Sequence, residues 1–270
     1  MHALPGLRKG SGAPAVEESG VLPESRVKTL IQSVLSSRGY HLSRLYPRDF
    51  DRETIDLIEA VGPYTMTSSE RIVATVNSTE YVVRHRIPGA LVECGVWKGG
   101  SMMAIAMTLL RLGETDRDLY LFDTFEGMSA PTEFDVTRDG LDAAPVWQES
   151  QDGSDSNVWC RAPIDEVRAA VLSTGYDPDR VHLVKGMVED TLPAGAPEQI
   201  AMLRLDTDFY ESTRHELIHL YPLLEVGGPL IFDDYGSWEG ARKAADEYFD
   251  ENNIRILLDR TDNTGRVGIK

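Results

Sequence analysis

The sequence predicts an α/β fold with a mostly parallel, seven-stranded sheet, helices on both faces and a helical extension at the N-terminus. Three observations carry this. Short apolar runs of strand length alternate with amphipathic helical stretches from Gly89 to Asn253, the pattern of a doubly wound sheet. Several of those runs end in acidic residues, at Asp123, Asp206 and Asp233, and open α/β sheets bind ligands beyond the carboxyl ends of their strands. The chain has 270 residues, 41% of them hydrophobic, enough to cover a large sheet on both faces.

Residues 1–22 are rich in Gly, Pro, Ala and Ser and lack an apolar stretch. They are expected to form a flexible tail and not a signal peptide. A helical cap is predicted over 23–87. Its first helix is "RVKTLIQSVLSSRG", opened by Pro23-Glu24-Ser25, with apolar Val27, Leu30, Ile31 and Leu35 and a stop at Gly39. "DRETIDLIEAVG" and "SSERIVATVNSTEYVVRHR" are the next two. Residues 88–270 then form the sheet domain. Its strands are "GALVECG", "DLYLFDTF", "RVHLVKG", "AMLRLD" and "GPLIFDD", with "IRILLD" and "GRVGIK" pairing as a closing hairpin. Helices "SMMAIAMTLLRLG", "IDEVRAAVLSTG", "ESTRHELIHLYPLLE" and "WEGARKAADEYFDENN" stand between them. Residues 126–160 fit no period, yet carry Trp147 and Trp159. A loop of that length inside a domain is expected to be a lid, with the two indoles either stacking on a ligand or anchoring the loop.

Acidic residues outnumber basic ones, 44 to 27, for a net charge of −17. Such a surface repels phosphate backbones and anionic bilayers, which argues against nucleic-acid and membrane partners. No apolar run has the length of a membrane span. Two cysteines, Cys94 and Cys160, make no disulfide framework, so a cytoplasmic location is expected.

"LRLDTDFYESTRHELIH" (203–219) holds two competing metal signals. His215-Glu216-Leu217-Ile218-His219 spells H-E-x-x-H, a zinc-protease pattern. Its helix follows a buried strand directly, and no histidine lies downstream of His219, so chance is the better account. Asp206 ends one strand and Asp233-Asp234 the next. Were those strands neighbours, three carboxylates would meet at one rim and repel unless a cation lay between them. All-oxygen ligands favour a hard ion such as Mg²⁺.

"VECGVWKGGS" (92–101) joins the first strand to its helix. Gly95 permits a tight turn, and Ser101 lies near a helix N-terminus that favours anions. The glycine spacing is not that of a dinucleotide fingerprint, and acidic Glu93 suits an amino-bearing ligand. Asp123 stands where a carboxylate holds ribose hydroxyls. Together they suggest a nucleoside with an amino-acid tail, S-adenosylmethionine.

"VECGVWKGGS", "FDTFEGM", "VKGMVEDTLP", "LRLDTDFYEST" and "GPLIFDDYGSWEGARKAADEY" resemble the macrocin O-methyltransferase family, whose members methylate sugar hydroxyls on antibiotics. The resemblance runs from about Tyr64 onward. It implies a Rossmann-like class I methyltransferase fold, a glycosylated small-molecule substrate and a homo-oligomer, dimer or higher. It further implies that Glu93, Gly95, Val96 and Ser101 border the methionine half of S-adenosylmethionine, that Asp123 holds the ribose, and that Val188 and Glu189 lie by the adenine. Thr65 and Met66 would close over the methionine end. Asp206, Asp233 and Asp234 would bind Mg²⁺, and Asp208 would take the catalytic-base position. Catechol-type methyltransferases, the alternative, place a lysine soon after the first metal Asp; this chain has Phe209 and Tyr210 there. A zinc protease and a non-catalytic binder are the remaining readings.

Overall fold

The computed structural model describes residues 33–38, 46–150 and 160–270. The chain divides into two compact units, 1–47 and 48–270. The predicted tail, most of the first predicted helix and Trp159 lie outside the described residues; within that helix, 33–36 is helical. Among the described residues, no helix is long and apolar enough to cross a membrane.

The second unit is built on seven strands: β1 (Ala90–Cys94), β2 (Leu119–Asp123), β3 (Val181–Lys185), β4 (Ile200–Leu205), β5 (Pro229–Phe232), β6 (Asp259–Arg260) and β7 (Arg266–Ile269). Their order is β3-β2-β1-β4-β5-β7-β6. β3, β2, β1, β4 and β5 are parallel; β7 pairs antiparallel with β5 and β6. β1, β4 and β5 are buried along their whole length, as parallel strands covered on both faces must be.

Helices α1 (Arg52–Val61), α2 (Ser69–His85), α3 (Gly100–Leu112), α4 (Ala143–Ser150), α5 (Ile164–Leu172), α6 (Val188–Thr191), α7 (Tyr210–Leu220) and α8 (Glu239–Glu251) complete the unit. Local capping sets the first two. Asp51 accepts from Thr54 N–H, and Ser68 from Arg71 N–H, satisfying amides that a first turn leaves free. α1 and α2 pack on α3, and α3 on α5; α7 packs on α8. Residues 48–87 thus belong to the same compact unit as the sheet. The strand order changes direction between β1 and β4: from β1 the chain builds outward to β2 and β3, and from β4 to β5 on the other side. The carboxyl ends of those two strands therefore open a crevice.

One expectation needs correction. "IRILLD" joins the ladder only at its last residue, Asp259, with Arg260 after it: Ile254, Ile256 and Leu258 pack their side chains on the core instead. Part of the expected lid, 126–150, is described. Val136 bridges Asp142, Thr137 bridges Trp238, and α4 follows. Its order comes from long-range bonds, which no local period reveals.

Candidate functional site

The site starts from the turn after β1. Gly95 has φ +79°, and a Cβ there would stand 2.0 Å from the carbonyl oxygen of Asp206. Only glycine lets this turn press on the end of β4. The Asp206 amide, in return, donates to Cys94 O at 2.8 Å. Asp123, at the end of β2, ties the same turn down. Its Oδ2 accepts from the amides of Val96 (2.7 Å) and Trp97 (3.0 Å), and its Oδ1 from Phe125 N–H (2.6 Å). Burial raises the Asp123 pKa, and these amides act against that rise.

A cavity of about 510 Å³ lies over the turn. Thr65, Met66, Gly95, Val96, Ser101, Asp123, Val188 and Glu189 line it. Ser101 sits in the first turn of α3. Glu189 accepts from the Ser212 hydroxyl at 2.8 Å, and its Oε2 has no partner among the described residues. Asp206, Asp208, Asp233 and Asp234 line the same cavity. Glu93 departs from the expected arrangement. It is 1% exposed and absent from the cavity wall, because Arg204 binds it from below: Nη1 donates to Glu93 Oε1 at 2.6 Å. Burial nevertheless lifts the Glu93 pKa to about 7.

Oxygens of Asp206, Asp233 and Asp234 lie within 4.8 Å of one another. Their surroundings differ. Asp234 stands beside both Asp206 and Asp208. Desolvation first, and then the neighbouring negative charges, push the pKa values of Asp206 and Asp234 well up; Asp208 is raised to about 7 by desolvation and then by the charge of Asp206. Asp233 is neutralised by the protein itself. It accepts from the Thr67 hydroxyl (2.9 and 3.0 Å) and from the guanidinium groups of Arg71 and Arg204.

His215 and His219 stand outside this cluster. Their rings pack on each other, 4.4 Å apart between centroids. Glu216 is fully buried and turned to Thr207 (3.2 Å), so the three side chains do not converge on an ion. Trp147 does not line the cavity; Trp238 does. The Trp238 indole lies beside Asp208 and acts against the rise of its pKa, and it meets Phe209 edge-on at 5.4 Å.

Residues 21–267 match the family described as macrocin-O-methyltransferase (TylF). The chain belongs to the macrocin O-methyltransferase family. This macrocin-family chain is an O-methyltransferase. It is 34% identical over 202 residues to an 8-demethyl-8-(2,3-dimethoxy-alpha-L-rhamnosyl)-tetracenomycin-C 4'-O-methyltransferase of Streptomyces olivaceus, covering 75% of this chain and 74% of that protein. It is 32% identical to a demethyldecarbamoylnovobiocin O-methyltransferase of Streptomyces niveus, over 73% of each. The solved O-methyltransferase NovP superposes with a TM-score of 0.68 at 28% identity, covering 90% of this chain and 98% of that one.

Arg204, Arg71, Thr67 and Trp238 are site residues that the sequence analysis does not reach. Arg204 carries a usable signal: an arginine inside an apolar strand must find buried anions.

Proposed function

We propose that this O-methyltransferase moves the methyl group of S-adenosylmethionine onto a sugar hydroxyl of a glycosylated natural product, with Mg²⁺ on Asp206, Asp233 and Asp234 and with Asp208 as the base. One observation carries the reading. The glycine turn with Asp123 and the four-aspartate rim share one cavity, which brings a nucleoside-binding end and an acid-rich end within reach of one reaction. The names of the relatives support the glycoside: a rhamnosyl-tetracenomycin and a novobiocin precursor. So does Leu141, a 59% exposed apolar residue of the cavity lining, which suits an aglycone.

The donor set fits the ion. Every candidate ligand atom is a carboxylate oxygen, the hard donor that Mg²⁺ prefers. Burial first, and then the neighbouring carboxylates, push the pKa values of Asp206 and Asp234 up, and a cation at the rim would oppose both. Asp233 would share it with Arg71 and Arg204. When bound, Mg²⁺ supplies a positive charge that makes a sugar hydroxyl more acidic.

The transfer forms an O–C bond and breaks the S–C bond, with that electron pair left on sulfur. Asp208 accepts the hydroxyl proton at a carboxylate oxygen. Trp238 fixes the direction of that carboxylate. The glycine turn holds the donor end still, so that alignment is set before reaction.

Mass spectrometry of glycosylated natural products incubated with enzyme, S-adenosylmethionine and Mg²⁺ tests the reading; a single added methyl group on the sugar is expected. Two further results are expected. Asp123→Ala weakens S-adenosylmethionine by about 1–3 kcal/mol in titration calorimetry, through the loss of hydrogen bonds to a charged acceptor. Tighter binding of NAD than of S-adenosylmethionine would exclude this cofactor. EDTA abolishes turnover, and Mg²⁺ restores it better than Zn²⁺. Asp234→Ala loses the response to the ion while His215→Ala keeps it. Full turnover after exhaustive chelation removes the ion from the mechanism.

A further inference from the structure

Asp135 is a fully buried carboxylate with no place on the cavity wall. It lies in the segment expected to be a lid, yet it reaches the start of α7. Its Oδ1 accepts from Tyr210 N–H at 2.8 Å. Its Oδ2 accepts from the Thr132 amide (2.6 Å) and hydroxyl (2.8 Å). α7 has no cap of its own, since the preceding residue is Phe209. A carboxylate from 75 residues away supplies what an N-cap Asp or Ser usually does, and puts a full negative charge at the positive end of the helix. The space is reserved for it: a Cβ at Gly240 would stand 2.2 Å from Asp135 Oδ1.

The capped end follows Asp208 directly. Asp208 has φ +66°, a left-handed conformation that Asp adopts more readily than most residues. Phe209 N–H closes a tight turn onto Thr207 O at 2.8 Å. The same lid segment also holds the opposite side. Arg138 N–H donates to Ser237 O (3.0 Å), Glu239 N–H to Val136 O (2.9 Å), and Thr137 bridges Trp238, which lines the cavity together with Asp208. We propose that Asp135 is a positioning residue for the base: residues 135–138 grip Asp208 from both sides, through the Tyr210 amide and through Trp238. The assignment of a base rests on the methyl-transfer reading above.

Three variants test it in the full chain with S-adenosylhomocysteine bound. Asp135→Ala removes the acceptor. Asp135→Asn keeps an oxygen for the Tyr210 amide. Tyr210→Pro removes only the donor, because proline suits the first helical position and Phe209 already has the extended backbone that a residue before proline needs; Tyr210→Ala is its reference. The first readout is the indole N–H signal of Trp238 in ¹⁵N-tryptophan-labelled protein, assigned among the four tryptophans with Trp238→Phe. It is expected to move in Asp135→Ala and Tyr210→Pro and to stay in Asp135→Asn. The second is the split between turnover and binding. kcat is expected to fall roughly 10- to 100-fold in the first two variants, the scale of a small misplacement, while the Kd of S-adenosylhomocysteine stays within about twofold, as expected when only transition-state interactions are lost. An unmoved indole signal with parental kcat overturns the proposal. So does a loss of S-adenosylhomocysteine binding that parallels the loss of kcat in both variants, which would make Asp135 a support of the fold alone. Should the parent protein bind S-adenosylhomocysteine and methylate no glycoside, the glycoside reading fails, while the indole signal still decides whether Asp135 holds this corner together.

Discussion

Arg204→Met is expected to lower the melting temperature by on the order of 10 °C. The side chain is 1% exposed and lies in a strand buried along its whole length. Nη1 donates to Glu93 Oε1 and Asp206 Oδ2, both at 2.6 Å; Nη2 donates to Asp233 and to Thr67. Methionine keeps most of the volume and removes the charge. Glu93 then has no cation at all, and Asp233 keeps only Arg71. Breaking a buried ion pair in this way costs about 3–5 kcal/mol, and a domain of this size shifts by roughly 2–4 °C per kcal/mol. Neutralising the orphaned partner should recover part of the loss, so Arg204→Met with Glu93→Gln is expected to melt above Arg204→Met alone. Differential scanning calorimetry at pH 7 measures both. A shift of less than about 2 °C in the single variant, well below that scale, would show that Arg204 is not what neutralises this cluster.

The strands were legible because each is an apolar run ended by a polar turn, and the parallel order followed from the helices between them. Asp206, Asp233 and Asp234 could be brought together on paper for the same reason: adjacent parallel strands put their carboxyl ends on one rim. Glu93 was placed on the cofactor by resemblance. Strand alternation could not say that an arginine on the next strand, β4, reaches across and binds it. The closing hairpin forms between β6 and β7 but is shorter than its sequence suggests, because Ile254, Ile256 and Leu258 pack inward without their backbone joining a ladder. Burial alone produces the period of a strand there. Residues 126–143 were illegible for the opposite reason. Their order depends on Asp135 meeting Tyr210 and on Thr137 meeting Trp238, pairings between segments far apart in the chain.

Asp208→Asn is expected to lower kcat by about 10²–10⁴, the usual range for removing a general base, with near-parental affinity for S-adenosylmethionine. The substitution keeps the side chain's shape, and asparagine tolerates the left-handed backbone at this position better than most residues. What it removes is basicity. The direction of the pH dependence follows from the same group. Desolvation and the charge of Asp206 raise the Asp208 carboxyl to about 7. A base acts only when deprotonated, so the rate should rise with pH and level off above that value. Filling the rim with a divalent cation opposes the repulsion from Asp206 and should move the rising limb to lower pH. Asp208→Asn should abolish the limb as well as lower the plateau. Turnover measured from pH 5 to 9 at saturating acceptor and saturating Mg²⁺ separates these outcomes. If Asp208→Asn keeps more than about a tenth of the parental rate, above the range for a lost base, and keeps the same rising limb, then proton removal belongs to another group. Asp208 then only shapes the floor on which Trp238 rests.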